Sequence, residues 1–110
     1  MSARQSAPLA KGNFRHYTIF VRVTFDPAKR ASTLERRGLD FADAARVFAE
    51  PHATFADDRR DYGEQRFITA GRLDGRFVML VWTPRGSARR IISMRYGHAS
   101  EEQKWRQRLG

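Results

Sequence analysis

Residues Glu64–Tyr96 read EQRFITAGRLDGRFVMLVWTPRGSARRIISMRY, three apolar runs parted by Asp74-Gly75 and by Pro84-Arg85-Gly86. Val, Ile, Phe and Trp pack well on a pleated surface, and Asp-Gly supplies the positive φ angles a tight hairpin needs. The spacing therefore predicts an antiparallel meander with strands over Arg66–Arg72, Arg76–Trp82 and Arg89–Tyr96. The middle run, Phe77 to Trp82, is apolar on both faces. Such a run suits a central strand covered on both sides, or a concave ligand face carrying Trp82. Arginines fall at the strand ends and in the turns, with a few inside, so the folded sheet is expected to carry a dense cationic rim or face.

Upstream of the meander, Asp57–Gly63 reads as a polar surface loop and His52–Ala56 as a short strand. Phe41, Ala44, Ala45 and Phe48 recur at i, i+3, i+4 and i+7. They predict a helix opened by Asp40, with Asp43 as its capping-box partner, and closed at Glu50-Pro51. An earlier helix over 28–37 is framed by Asp26-Pro27 and Gly38, with Ala28, Ala31 and Leu34 as its thin core-facing stripe. The β-branched and aromatic run Tyr17–Phe25 predicts a first strand, and residues 1–16 a mobile tail. Downstream, Ser100 and Gln103 suit a capping box for a last helix, Glu101 to Leu109, that leans on the sheet through Trp105. The expectation is one α+β domain over 17–110, a mostly antiparallel twisted sheet with two N-terminal helices and one C-terminal helix.

The 110 residues suffice for one core, so any site must lie on its surface or in a shallow groove. The net charge of +9 is unevenly spread: residues 1–58 hold nine Lys/Arg against seven Asp/Glu, and residues 59–110 hold twelve against five. That excess attracts polyanions, of which nucleic acid is the commonest. Arginine supplies 18 of the 21 basic residues, which suits bidentate phosphate contact and base stacking. With no cysteine there is no disulfide framework and no thiolate chemistry. Neither a run of roughly 18 apolar residues nor a secretory h-region is present, so a cytoplasmic protein with no membrane partner is expected.

His16, His52 and His98 are scattered without metal-ligand spacing, and no phosphate-binding glycine loop or G-x-S-x-G elbow occurs. No metal site and no cofactor is expected. A ribonuclease that uses the ribose 2′-OH as nucleophile needs only a proton acceptor, cations at the phosphorane, a donor for the leaving oxygen and planar groups to hold bases. Glu64, Tyr62, His52, His98 and Tyr96 can transfer protons, and Arg66, Arg85, Arg90 and Arg95 can carry charge. Trp82, Tyr96 or Trp105 can stack. Each has a plainer reading: Glu64 and Arg66 as an exposed pair, Trp82 and Trp105 as core, the histidines as local hydrogen-bonding groups. Alternation also sets a constraint. On a regular strand Arg90 shares its face with Ile92, Met94 and Tyr96, and Arg95 with Arg89, Ile91 and Ser93, so the two arginines diverge unless the strand bends or bulges.

The ordered series of motifs resembles the BrnT family of toxins. It comprises Phe25-Asp26-Pro27-Ala28-Lys29, Arg37-Gly38-Leu39-Asp40-Phe41 with Ala44 and Phe48, and Glu64-x-Arg66 with Gly71. After these come Trp82-Thr83-x-Arg85 and Arg90-Ile91-Ile92-Ser93-Met94-Arg95, then Glu101 and Trp105. The resemblance covers about Val23 to Trp105. It implies a RelE-like ribonuclease fold, an RNA substrate, growth arrest by RNA cleavage, and a BrnA-like antitoxin of ribbon-helix-helix type. By position it carries basic site residues onto Lys29, Arg66, Arg85, Arg90 and Arg95, and the acidic strand position onto Glu64. Thr33, Arg36 and Arg37 stand where the family usually has Asn, Lys and His, and Trp105 where it has Tyr.

Two functions are therefore expected of this sequence. The first is a metal-independent endoribonuclease in which Arg66, Arg90 and Arg95 neutralise phosphate, Glu64 is the base and Tyr96 or His98 the acid. In it Lys29, Arg85, Trp82 and Trp105 bind RNA. The alternative is a non-catalytic basic module that binds nucleic acid or an antitoxin.

Overall fold

A computed structural model describes residues 21–109. The expected tail over 1–16, and the part of the first strand before Val21, lie outside them. The described chain is an α+β domain in which a five-stranded sheet has the order β1-β5-β4-β3-β2. Its strands are β1 (Val23–Thr24), β2 (Ala53–Ala56), β3 (Phe67–Leu73), β4 (Arg76–Arg85) and β5 (Ala88–Tyr96). The four from β2 to β5 pair antiparallel, and β1 runs parallel to β5.

The meander forms as the turn chemistry dictates. Asp74 and Gly75, at φ 51° and 79°, make the β3–β4 hairpin. The second turn falls one step later than Pro84-Arg85-Gly86 suggests. Pro84 pairs with Arg89 inside the ladder, and Gly86-Ser87 reverses the chain, with Gly86 at φ 58°.

One face of the sheet carries the core. Leu39, Phe41, Ala44, Val47 and Phe48 press onto Val78, Leu80, Trp82, Ile91 and Met94. Trp82 is 7% exposed, stands edge-on to Phe48 and lies against Phe67. Its indole N–H donates to the Thr69 hydroxyl at 2.8 Å, and Thr69 in turn meets the Thr54 hydroxyl at 2.8 Å. That chain across three strands satisfies buried polar atoms that would otherwise destabilise the core.

The helical layer departs from the expected pattern in two places. Asp40 caps not an α-helix but a 3₁₀ turn over Phe41–Asp43, and α2 is only Ala44–Phe48; Asp43 makes no capping bond. In α1 (Pro27–Arg37) the apolar stripe does not face the core. Leu34 is 46% exposed and Thr33 is the buried residue. Polar contacts fix this helix instead: Arg30 grips Asp40 through two bonds of 2.7 and 2.9 Å, and Arg37 donates to the Met94 carbonyl at 3.0 Å. β1 pairs only with Arg89 and Arg90, so Arg37 satisfies a β5 acceptor beyond the reach of that short strand.

The other face is crossed by α3 (Ala99–Leu109). Trp105 lies on Phe55 with centroids 3.8 Å apart, Glu102 meets Arg72 and Glu101 meets Arg95. The expected cap at Ser100 and Gln103 is replaced by Glu101, whose carboxylate accepts from the His98 backbone N–H at 2.8 Å. None of the described helices is long and apolar enough to cross a membrane.

Gly97 lets α3 leave the sheet directly over Phe77. A Cβ there would lie 2.3 and 2.4 Å from two carbons of the Phe77 ring, which is itself buried. Gly97→Ala is expected to destabilise the domain by about 1–3 kcal/mol, read as a lowered midpoint in urea denaturation.

Candidate nucleic-acid interface

The register of β4 and β5 slips by one residue. Trp82 pairs with Ile91, Val81 pairs with Ser93, and Ile92 is the extra residue of a β-bulge. Directly paired residues share a face, so the slip inverts the alternation along β5. Ile91 and Met94 both turn to the helical layer, where they are buried. Arg90 pairs with Thr83 and Arg95 with Met79, so both arginines lie on the opposite face. The divergence expected of a regular strand is thereby corrected.

That face is organised in rows. At one end Arg66 precedes Phe67, whose partner is Trp82, which brings Arg66 beside Thr83 and across from Arg90. Two strand spacings separate Arg66 from Arg90, about 10 Å, so their side chains can converge on a group held over Thr83. Thr83 is buried and its hydroxyl donates to the Gln65 carbonyl at 2.6 Å, which pins the approach to β3. Ile68, Val81 and Ser93 form the next row, and Ala70, Met79 and Arg95 the one beyond. The result is a half-buried, largely apolar floor with cations at both ends and α3 along one side.

Carboxylates hold the cations in place. Glu64 accepts from Arg66 at 3.0 Å and from Arg85 at 3.2 Å, and these two guanidiniums lower its pKa, Arg66 contributing most. Arg66 also lies over the Tyr62 ring at 4.2 Å. Arg95 is held by both Glu101 oxygens at 2.9 and 2.7 Å, a pairing that raises the arginine's pKa and, with the His98 N–H, lowers that of Glu101 to about 2. Arg90 pairs with no acid among the described residues.

Lys29 enters from the side. It lines a cleft with Ser32, Thr33 and Arg36 of α1 and with Ile92 and Ser93 of β5, so α1 borders the arginine face at its outer edge. Arg36 lies seven residues beyond Lys29 on one helical face. That spacing in the sequence marks a second α1 cation beside Lys29. Thr83 and Ser93 are the polar positions of the otherwise apolar floor.

Other expected residues lie elsewhere. Trp82 is a core residue on the helical side, its N–H already bonded, and offers no platform to a base. Tyr96 pairs with Val78, packs against the core and carries Arg76 over its ring at 3.7 Å, on the face away from Arg66 and Arg90. His98 stands before α3, beyond Gly97, whose N–H bonds to Phe77. Six strand positions, about 20 Å, separate Phe77 from the Thr83 row. Trp105 is occupied between Phe55 and Arg108. His52 stands edge-on to Phe48 and bonds the Glu50 carbonyl through Nδ1 at 2.7 Å.

A family model described as ribonuclease toxin, BrnT, of type II toxin-antitoxin system matches residues 25–101. The match spans the Arg66, Arg85, Arg90 and Arg95 positions and stops short of Trp105. No curated protein matches the chain.

Glu101 and Asp57 both have folded pKa values lowered to about 2, from ordinary values of 4.5 and 3.8. A carboxyl that binds its proton less readily when folded stabilises the fold fully above its ordinary range and loses that contribution as pH falls toward 2. The urea midpoint should therefore be lower at pH 3 than at pH 6. Glu101→Gln should flatten part of that difference; a variant as acid-sensitive as the parent would contradict the assignment.

Proposed function

The chain belongs to the BrnT family of ribonuclease toxins, and we propose that it is a metal-independent endoribonuclease whose cleavage of RNA inhibits translation and growth. A ribbon-helix-helix antitoxin of the BrnA type is its proposed partner. The observation that carries this reading is the row Arg66–Thr83–Arg90, two cations flanking one buried threonine on the face of the sheet opposite the apolar core.

A phosphate over Thr83 would take charge-assisted hydrogen bonds from both guanidiniums, and these strengthen as the equatorial oxygens gain charge in the phosphorane. Attack of the ribose 2′-oxygen forms the new P–O bond of a 2′,3′-cyclic phosphate, and the P–O5′ bond breaks. The 2′ proton passes to Glu64, and the departing 5′-oxygen takes a proton from water. Glu64 is ionised at neutral pH, and Arg66 and Arg85 hold its pKa below the ordinary value, which makes it a weak base. Charge stabilisation by the arginines thus supplies the larger share of the acceleration. The apolar strip Ile68–Val81 offers a dry floor for an unstacked base, a use suited to single-stranded RNA.

Purified protein incubated with a defined transcript in EDTA should cleave it. Intact RNA at molar excess of protein would leave only the binding-module reading. Arg66→Ala and Arg90→Ala are each expected to lower the cleavage rate by about 100-fold with little change in the thermal melt. Glu64→Gln should cost less than either. His98→Ala should stay within about twofold, because proton transfer over about 20 Å is excluded.

A further inference from the structure

The loop after β2 holds a buried charge that a solvated turn has no need of. The Asp57 side chain has no accessible surface, whereas that of its partner Arg59 is 64% exposed. Arg59 returns to Asp57 through Nε at 2.7 Å and Nη2 at 2.8 Å, a two-point grip that fixes the plane of the guanidinium. The Tyr62 hydroxyl approaches the same pair. Burying a carboxylate is unfavourable unless a well-placed cation offsets the lost hydration. Such a device is wasteful if Arg59 merely dangles in water, and it orients a cation if Arg59 has a target.

The register shows where that cation is held. Ala56 is paired with Phe67, and the Asp57 N–H donates to the Arg66 carbonyl at 2.8 Å. Asp57 therefore extends the row Arg66–Thr83–Arg90 by one strand, on the same face. The Arg59 charge is also close enough to Arg95 to oppose the rise in that residue's pKa. Glu64 occupies Arg66 and Arg85, and Glu101 occupies Arg95; Asp57 takes only Nε and Nη2 of Arg59, whose side chain stays 64% exposed.

We propose that Arg59 is a further RNA-binding residue, a pre-oriented contact to a backbone phosphate next to the one over Thr83, and that buried Asp57 is the residue that positions it. This rests on the reading of the arginine face as an RNA site. It extends that site by one strand toward the β2 edge and gives the loop after β2 a part in holding the strand of RNA.

Arg59→Ala alone would strand a buried carboxylate, so the informative variant is Asp57→Asn/Arg59→Gln, which removes both charges. The probe is a single-stranded 2′-O-methyl oligonucleotide, in which the attacking hydroxyl is blocked, titrated over a series of KCl concentrations. One lost phosphate contact should reduce the slope of log Kd against log salt by about 0.7. It should also weaken low-salt binding about tenfold. Arg59→Lys should keep the slope, because it keeps the charge. An unchanged slope and Kd in a double variant with intact circular dichroism would overturn the assignment of Arg59 alone. Absence of salt-dependent binding by the wild-type chain would overturn the RNA site itself, and this inference with it.

Discussion

A single extra residue in β5 decides what both faces of the sheet can do. The pleat forces alternate residues to opposite sides, and β5 needs Ile91 and Met94, three apart, in one core. Without the bulge at Ile92 one of those side chains would turn outward, and either Arg90 or Arg95 would join Arg89 on the helical side, where Arg89 already lies over the Phe48 and Trp82 rings. The slip between Val81 and Trp82 resolves both conflicts together. It completes the apolar layer under Phe41 and Phe48 and places both arginines on the face that the helical layer leaves open.

The cations on that face are not loose. Glu64, Glu101, Glu102 and Asp57 each hold at least one guanidinium, so the face is a lattice of alternating charge. Pairing of this kind adds little stability where water reaches it, but it limits the rotamers available to long side chains. RNA would then exchange one anionic partner for another at Arg66, Arg85 and Arg95. Phosphate gains less at such positions than it would from a bare cation, and the face is less prone to bind every polyanion it meets. Arg90, with no acidic partner among the described residues, is the position where an anion would meet no carboxylate competitor.

Much of the fold was legible because the meander obeys local rules. Asp74-Gly75 demanded a hairpin, Gly38 ended α1, and the apolar run Phe77–Trp82 suited a central strand. The site was legible as a set of arginines but not as an arrangement. The sign of each side chain's direction along β5 hangs on a bulge with no glycine to announce it, and Ile91-Ile92 looks like an uninterrupted strand. Trp82 and Tyr96 were open in a similar way, since an aromatic ring suits a core and a platform equally until register assigns it a side. The Asp57-Asp58-Arg59 run reads as a solvated turn; burial of Asp57 arises from tertiary packing, and composition carries no trace of it.

The polar character of α1 follows from the same economy. A single domain of this size has one core, and Phe41, Val47 and Phe48 already cover the helical side of the sheet. α1 therefore runs along the rim, where it contributes Arg37 to the Met94 carbonyl in place of a further strand bond. On that rim Leu34 remains exposed and Thr33 is the residue that is buried. The same orientation turns Lys29 and Arg36 toward Ser93, at the border of the arginine face. The helix thus closes the edge of β5 with one arginine and lends the open face two more cations. Its weak hydrophobic anchoring is the condition for both.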